Sequence, residues 1–149
     1  MTFEYEYHDG GRRFSRRPKQ KEDCTVRALV IATGADYDHA YDELKSRGRD
    51  SHRRFPFSII TKEVVFGHVF VWQAFEDGYL LTAAEFCERY SAGTFILQMK
   101  GHVMCVKDGV AYDTYKVEDD RLIKGAWRIE RARNARRARK KAFKPFVGE

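Results

Sequence analysis

The sequence GHVMCVKDGVAYDTY, residues 101–115, predicts a β-hairpin. Its two arms, His102–Lys107 and Val110–Tyr115, are rich in β-branched and aromatic residues, which favour strands. Asp108-Gly109 between them is typical of a two-residue hairpin turn, because both positions of such a turn need positive φ angles. The hairpin predicts an antiparallel sheet in the second half of the chain.

The turn also fixes which residues of the two arms meet. With Asp108-Gly109 as the turn, Lys107 pairs with Val110, and every earlier pair follows from that one. His102 and Asp113 then become diagonal neighbours on one face, since side chains two residues apart share a face. This register predicts a hydrogen bond between the Asp113 carboxylate and the His102 imidazole.

The first half of the chain favours helices. Asp23 is predicted to cap a helix over Cys24–Thr33, and Gly34 to end it. A second helix follows Asp36 and stops at Gly48, and the capping box Thr82-Ala-Ala-Glu85 opens a third that runs through Tyr90. Further strands are predicted at residues 2–7, His68–Ala74, Phe95–Met99 and Trp127–Ile129, and a short helix from Pro56 to Phe66. Helices first and an antiparallel sheet second predict an α+β fold.

Composition favours a single soluble domain. The chain has 149 residues, 43% of them hydrophobic and 34% charged, which is enough to form one core. No apolar run approaches the ~20 residues of a membrane span, and the first residues do not resemble a signal peptide. The three cysteines are Cys24, Cys87 and Cys105, and no pair has Cys-x-x-Cys spacing. These features predict a reducing, cytoplasmic location and no contact with a membrane.

Cys24 is the cysteine that sequence position favours as a nucleophile. A thiol attacks as its thiolate, and the first turn of a helix stabilises an anion through its unpaired N–H groups and the helix dipole. An imidazole from a distant part of the chain would supply the base. Cys24, His102 and Asp113 therefore predict a triad of nucleophile, base and orienting acid. Cys87 and Cys105 are expected in the core.

Several short sequence segments resemble those of small phage-encoded proteins of the papain-like cysteine peptidase superfamily. They are Asp23-Cys24-Thr-Val-Arg-Ala28, Thr33-Gly34 with Tyr37 and Tyr41, Gly93-Thr-Phe-Ile96, Gly101-His102-Val, Asp108-Gly109-Val, Asp113-Thr114 and Trp127. The resemblance spans roughly residues 20–129 and implies a papain-like fold with the site between helices and sheet. It also implies a thiol protease, a hydrolase that cleaves a peptide or isopeptide bond without metal or cofactor. If the protein is phage-encoded, its location would be the host cytoplasm.

The chain departs from the best-known papain pattern around the nucleophile. Asp23 and Thr25 flank Cys24, where that pattern has Gly-Ser-Cys-Trp. The family's oxyanion glutamine lies six residues before the cysteine, and the nearest candidate here, Gln20, lies four before. Either Gln20 still donates to the oxyanion, or the backbone N–H of Cys24 works with another group, and we favour Gln20. Transglutaminase-like enzymes use the same three residue types in the same order, so acyl transfer to an amine stays an alternative.

The C-terminal segment predicts a second function. Residues 128–144 hold nine Arg or Lys against one Glu, a local charge of +8 in a chain of net charge +6. We divide the chain into a peptidase domain, residues 1–130, and a basic helical tail, residues 131–149. The tail predicts non-specific nucleic-acid binding through Arg131, Arg133, Arg136, Arg137, Arg139, Lys140 and Lys141. A papain-like protein without catalysis that works through this tail is therefore the other alternative.

Overall fold

Three α-helices and eight β-strands make up the part of the chain that this computed structural model describes, residues 1–74 and 80–134. The helices are α1 (Cys24–Thr33), α2 (Tyr37–Ser46) and α3 (Ala83–Arg89), and short 3₁₀ turns lie at Arg12–Phe14, Phe57–Ile59 and Ala132–Asn134. The strands are β1 (Glu4–Tyr7), β2 (His68–Ala74), β3 (Leu81–Thr82), β4 (Thr94–Met99), β5 (His102–Lys107), β6 (Val110–Asp113), β7 (Leu122–Ile123) and β8 (Gly125–Arg131).

Six of these strands form one sheet in the order β1-β6-β5-β4-β8-β2, and β3 and β7 form a separate pair. Every pairing in the large sheet is antiparallel except that of β1 with β6, which is parallel. Helix α1 packs across β5, and α2 packs against α1. The predicted α+β class, with helices against a mainly antiparallel sheet, is confirmed.

The hairpin has the register that its turn predicts. Lys107 pairs with Val110, and Cys105 pairs with Tyr112. Asp108 and Gly109 have φ angles of 48° and 79°, the left-handed conformation that a two-residue hairpin turn of this kind requires. Strand β6 ends at Asp113, two residues before the predicted end.

Helix α1 begins and ends at the predicted residues, but Asp23 does not cap it. The Asp23 side chain makes no capping hydrogen bond, because its oxygens bind side chains of the buried interior instead. Gly34 ends α1 in the left-handed conformation. Asp36 caps α2 through the N–H groups of Asp38 and His39. The capping box of Thr82 and Glu85 is also present.

The predicted helix from Pro56 to Phe66 is wrong. The chain forms one 3₁₀ turn, Phe57–Ile59, and then turns without regular structure before β2. Phe57, Ile60 and Val65 are buried, while Ile59 and Val64 are exposed. The buried positions do not form one helical stripe, and Phe66 has a φ angle of 49°, which no α-helix accepts.

Both faces of the central strands are buried. Ile96, Val103 and Cys105 pack with Leu29 and Leu44 of the helical layer. The alternate residues of the same strands pack with α3, and they are Phe95, Leu97, Met99, Met104 and Val106. The core therefore fixes β5 between two apolar layers, and the first residue of β5 is His102.

Candidate active site

Cys24 is the first residue of α1, and its side chain reaches the surface only at the bottom of a cleft. Its exposed fraction is 8%. At the first position of a helix the backbone N–H has no partner within the helix, so an anion there is stabilised by the helix end. The structure places the predicted nucleophile where the chain can support a thiolate.

Three neighbours of the Cys24 thiol favour its ionised form. Burial acts to raise the pKa of the thiol, and a hydrogen bond to His102 and the charge of that imidazole act to lower it. The backbone N–H of Val103 and the charge of Arg27 act in the same direction. The net effect holds the pKa of Cys24 below its ordinary value.

His102 lies between the thiol and a carboxylate. Its Nε2 lies 2.5 Å from Oδ2 of Asp113, which leaves Nδ1 as the ring nitrogen for Cys24. Burial lowers the pKa of the imidazole, but hydrogen bonds with Asp113 and Cys24 outweigh that effect and raise it to about 9. The Tyr115 ring lies beside the imidazole with its centroid 5.3 Å away, at an angle of 34°. The predicted contact of His102 with Asp113 is present in the structure.

The Asp113 carboxylate is buried and held from three sides. His102 occupies Oδ2, while Arg27 Nη1 lies 2.5 Å from Oδ1 and the N–H of Thr114 donates to the same oxygen at 2.8 Å. Burial raises the pKa of this carboxyl, but the hydrogen bond and charge of His102 and the charge of Arg27 bring it below its usual range. Asp113 is therefore a carboxylate with a fixed orientation.

Arg27 is the residue of this site that sequence analysis missed. It lies one turn after Cys24 on α1, it is 7% exposed, and it joins two carboxylates. Its Nε donates to Asp23 at 3.0 Å, and its Nη1 donates to Asp113. The spacing of Asp23 and Arg27, four residues apart on a helix, is the signal that could have identified the pair.

Asp23 is the second carboxylate of this buried network and accepts several hydrogen bonds. Arg12 donates to it at 3.0 Å and the Tyr37 hydroxyl at 2.8 Å, in addition to Arg27. Burial and the nearby Asp23 charge raise the pKa of Tyr37 well above its ordinary range, so the hydroxyl stays protonated and donates. A continuous line of contacts thus runs from Arg12 through Asp23, Arg27, Asp113 and His102 to Cys24.

Gln20 is not brought to the site. Its side-chain amide donates to the backbone carbonyls of Lys21 and Ser51, at 2.8 Å and 2.6 Å. Two cavities open beside Cys24, and Gln20 lines neither of them. In this arrangement Gln20 anchors the loop that leads to α1. Arg49 anchors the same loop, because its buried guanidinium donates to the carbonyl of Glu22 at 3.0 Å.

The other two cysteines lie in environments that oppose ionisation. Burial raises the pKa of Cys87 and of Cys105 to about 12 each. Both are core residues, as predicted. Within residues 1–74 and 80–134, no cluster of histidine, cysteine and carboxylate side chains could hold a metal ion.

Two cavities meet at Cys24 and His102. One, of about 220 Å³, is walled mainly by apolar side chains, including Phe55, Pro56 and Val103. The other, of about 260 Å³, is polar and lies on the side of Asp23, Lys100 and Arg121. Cys24, Arg54, Gly101 and His102 line both. The thiol and imidazole therefore lie at the junction of two cavities of different chemistry.

The residues predicted to bind nucleic acid are described only in part. Arg131 ends β8 and Arg133 lies in the following 3₁₀ turn, and both side chains are exposed. Arg136, Arg137, Arg139, Lys140 and Lys141 lie outside the described residues.

None of the described helices is long and apolar enough to cross a membrane. Comparison of the chain with protein-family models, with curated proteins and with solved structures finds no match.

Proposed function

We propose that the protein is a thiol-dependent hydrolase of papain-like architecture that cleaves a peptide or isopeptide bond. The observation that carries the proposal is the line of contacts from Cys24 through His102 to Asp113, with the thiol at the first turn of a helix and open to two cavities. Nucleophile, base and orienting acid have the contacts that each role needs.

The proposed reaction begins with proton transfer from Cys24 to Nδ1 of His102. The thiolate attacks the substrate carbonyl carbon, a C–S bond forms, and the carbonyl π electrons move to oxygen. On collapse of this intermediate, His102 gives its proton to the leaving amine as the C–N bond breaks. Water then attacks the acyl-enzyme with His102 as base, which releases the acid and restores the thiol.

Asp113 acts in this scheme by holding the imidazole. Its hydrogen bond to Nε2 fixes the ring so that Nδ1 faces the thiol, and its charge stabilises the imidazolium. The backbone N–H of Cys24 is the donor we assign to the developing oxyanion, since it is unpaired at the start of α1. Gln20 has no part in the reaction, because its amide is bound to backbone carbonyls.

Support for a papain-like arrangement comes from the placement of the three residues. Cys24 opens a buried helix, and that helix packs across the strand that begins with His102. Asp113 ends the next strand of the same hairpin. The order Cys, His, Asp along the chain and the cleft between helix and sheet agree with the resemblance of the sequence.

Cleavage of a diverse synthetic peptide mixture, followed by mass spectrometry, tests the proposal. We expect new peptide ends with the wild type and none with Cys24→Ala, while Gln20→Ala serves as a variant that retains cleavage. Addition of a primary amine separates the alternatives, because an acyl transferase would form amide-linked products that a strict hydrolase would not. Intact peptides under all conditions, with a folded protein, would favour the non-catalytic binding protein.

A further inference from the structure

The polar cavity beside Cys24 carries an excess of positive charge. Four cationic side chains line it, namely Arg27, Arg54, Lys100 and Arg121. Two carboxylates, Glu22 and Asp23, line it as well. The charges of these six residues do not cancel, and the pairing among them shows where the excess lies.

The two carboxylates are already paired. Asp23 binds Arg27 and Arg12, and Glu22 binds Arg54 at 2.9 Å. Lys100 and Arg121 also line the cavity, and no carboxylate of the described residues lies within ion-pair distance of either. Arg121 donates to the backbone carbonyl of Lys100 at 2.9 Å, a contact that holds the guanidinium in place and brings no carboxylate of the described residues to its charge.

The second cavity has the opposite character. Phe55, Pro56, Phe57 and Val103 give it an apolar wall. Besides Cys24 and His102, the ionisable side chain that it shares with the polar cavity is Arg54. An anionic group beside the reacting carbonyl would therefore be stabilised on one side of Cys24 and lose its hydration on the other. The two cavities therefore offer different environments to the parts of a substrate on either side of the reacting carbonyl.

We propose that the substrate carries an anionic group, such as the carboxylate of an Asp or Glu side chain, next to the bond that Cys24 attacks, and that Lys100 and Arg121 bind this group. The inference rests on the proposed function and names its substrate class as acidic peptides. Lys100 and Arg121 are specificity residues in this account, since they contact neither the thiol nor the imidazole.

Alkylation of Cys24 by two reagents of similar size tests the proposal. Iodoacetate is an anion and iodoacetamide is neutral. In both, the thiolate attacks the CH₂ carbon, a C–S bond forms as the C–I bond breaks, and iodide leaves. The ratio of their rates at Cys24, divided by the same ratio for free N-acetylcysteine, measures the preference of the site for an anion. Because the ratio is taken within one protein, a change in the pKa of the thiol cancels.

We expect the anion to be preferred by about tenfold at low salt, and the preference to fall with added salt. His102 also attracts the anion, so the decisive result is that of Lys100→Glu, which keeps the backbone carbonyl bound by Arg121. This variant should lower the ratio by about tenfold. Lys100→Glu with Arg121→Glu should lower it further. The matched control for this double variant is Lys62→Glu with Lys124→Glu. It changes the net charge by the same amount at residues that line neither cavity, and it should keep the wild-type ratio.

A ratio equal to that of the free thiol, or one that Lys100→Glu leaves unchanged, would overturn the inference while leaving the proposed function intact. If neither reagent modified Cys24 faster than Cys87 or Cys105, the proposed function itself would fail.

Discussion

Arg27 Nη1 lies 2.5 Å from Oδ1 of Asp113, so the carboxylate that orients His102 is itself anchored to the helix that carries Cys24. Arg27 and Cys24 lie on the same helix, α1, three residues apart. The contact therefore joins the two layers of the fold at the point where nucleophile and base must meet. It gives Arg27 a positioning role, without contact with the reacting atoms.

Replacement of Arg27 by Met should destabilise the protein strongly. The change leaves Asp23 and Asp113 buried with a partner missing, and loss of one member of a buried ion pair typically costs about 3–5 kcal/mol. Urea unfolding measures the difference. Arg16→Met is the matched control, because the Arg16 guanidinium is exposed near Asp38 and Asp42 and should contribute less than about 1 kcal/mol. Equal losses in the two variants would contradict the role given to Arg27.

Asp113→Asn should lower the pKa of His102. Burial already opposes the charged imidazole, and the bond to the Asp113 carboxylate is the largest influence that outweighs it. Without the charge we expect the pKa to fall from about 9 by more than about one unit. NMR titration of the imidazole carbon-bound protons measures it. Asp108→Asn, the same chemical change at the hairpin turn, should leave the pKa of His102 where it is.

The stabilising contribution of Asp113 should disappear in acid. The folded-state pKa of Asp113 lies below the unfolded value of about 3.9, so the charged form stabilises the fold. Its contribution is fully present above about pH 3.9 and is lost as the pH falls through the lower, folded-state value. The gap in unfolding free energy between wild type and Asp113→Asn should therefore narrow between pH 7 and pH 3. A gap that stayed constant over this range would show that the charge of Asp113 contributes nothing.

One thiol per chain should react quickly in the native protein. The pKa of Cys24 is lowered, whereas burial raises that of Cys87 and Cys105 to about 12. Methyl methanethiosulfonate at neutral pH should modify one thiol rapidly and three after unfolding, as mass spectrometry would count them. Rapid modification of two or three native thiols would mean that the core around β5 and α3 is open.

The hairpin shows what local sequence determines. Asp108-Gly109 allows one tight turn, the turn allows one register, and the register places His102 beside Asp113. Helix α1 was predictable for the same reason, since an apolar segment ending at Gly34 leaves little choice of structure. These features depend on residues that are close in sequence.

Contacts between distant segments were not predictable in this way. Asp23 has the residue type and the position of a helix cap. Its oxygens accept hydrogen bonds from Arg12 and Tyr37 instead, because a buried carboxylate needs several donors. Gln20 has a suitable position before Cys24, but nothing local indicated that Ser51 would bind its amide. The segment around Ile59 has apolar residues at helical spacing, and only the tertiary core decides which of them are buried.

The central claim is that Cys24 and His102 form a reactive thiolate–imidazolium pair. The most direct test is the rate of iodoacetamide alkylation of each cysteine, mapped by peptide mass between about pH 5 and pH 9, in wild type and His102→Ala. We expect Cys24 alone to react rapidly well below the ordinary thiol pKa of about 8.5, and to lose that advantage without His102. If Cys24 reacts no faster than Cys87 and Cys105, or if its pH profile is the same in His102→Ala, the pair does not exist and the proposed hydrolase is wrong.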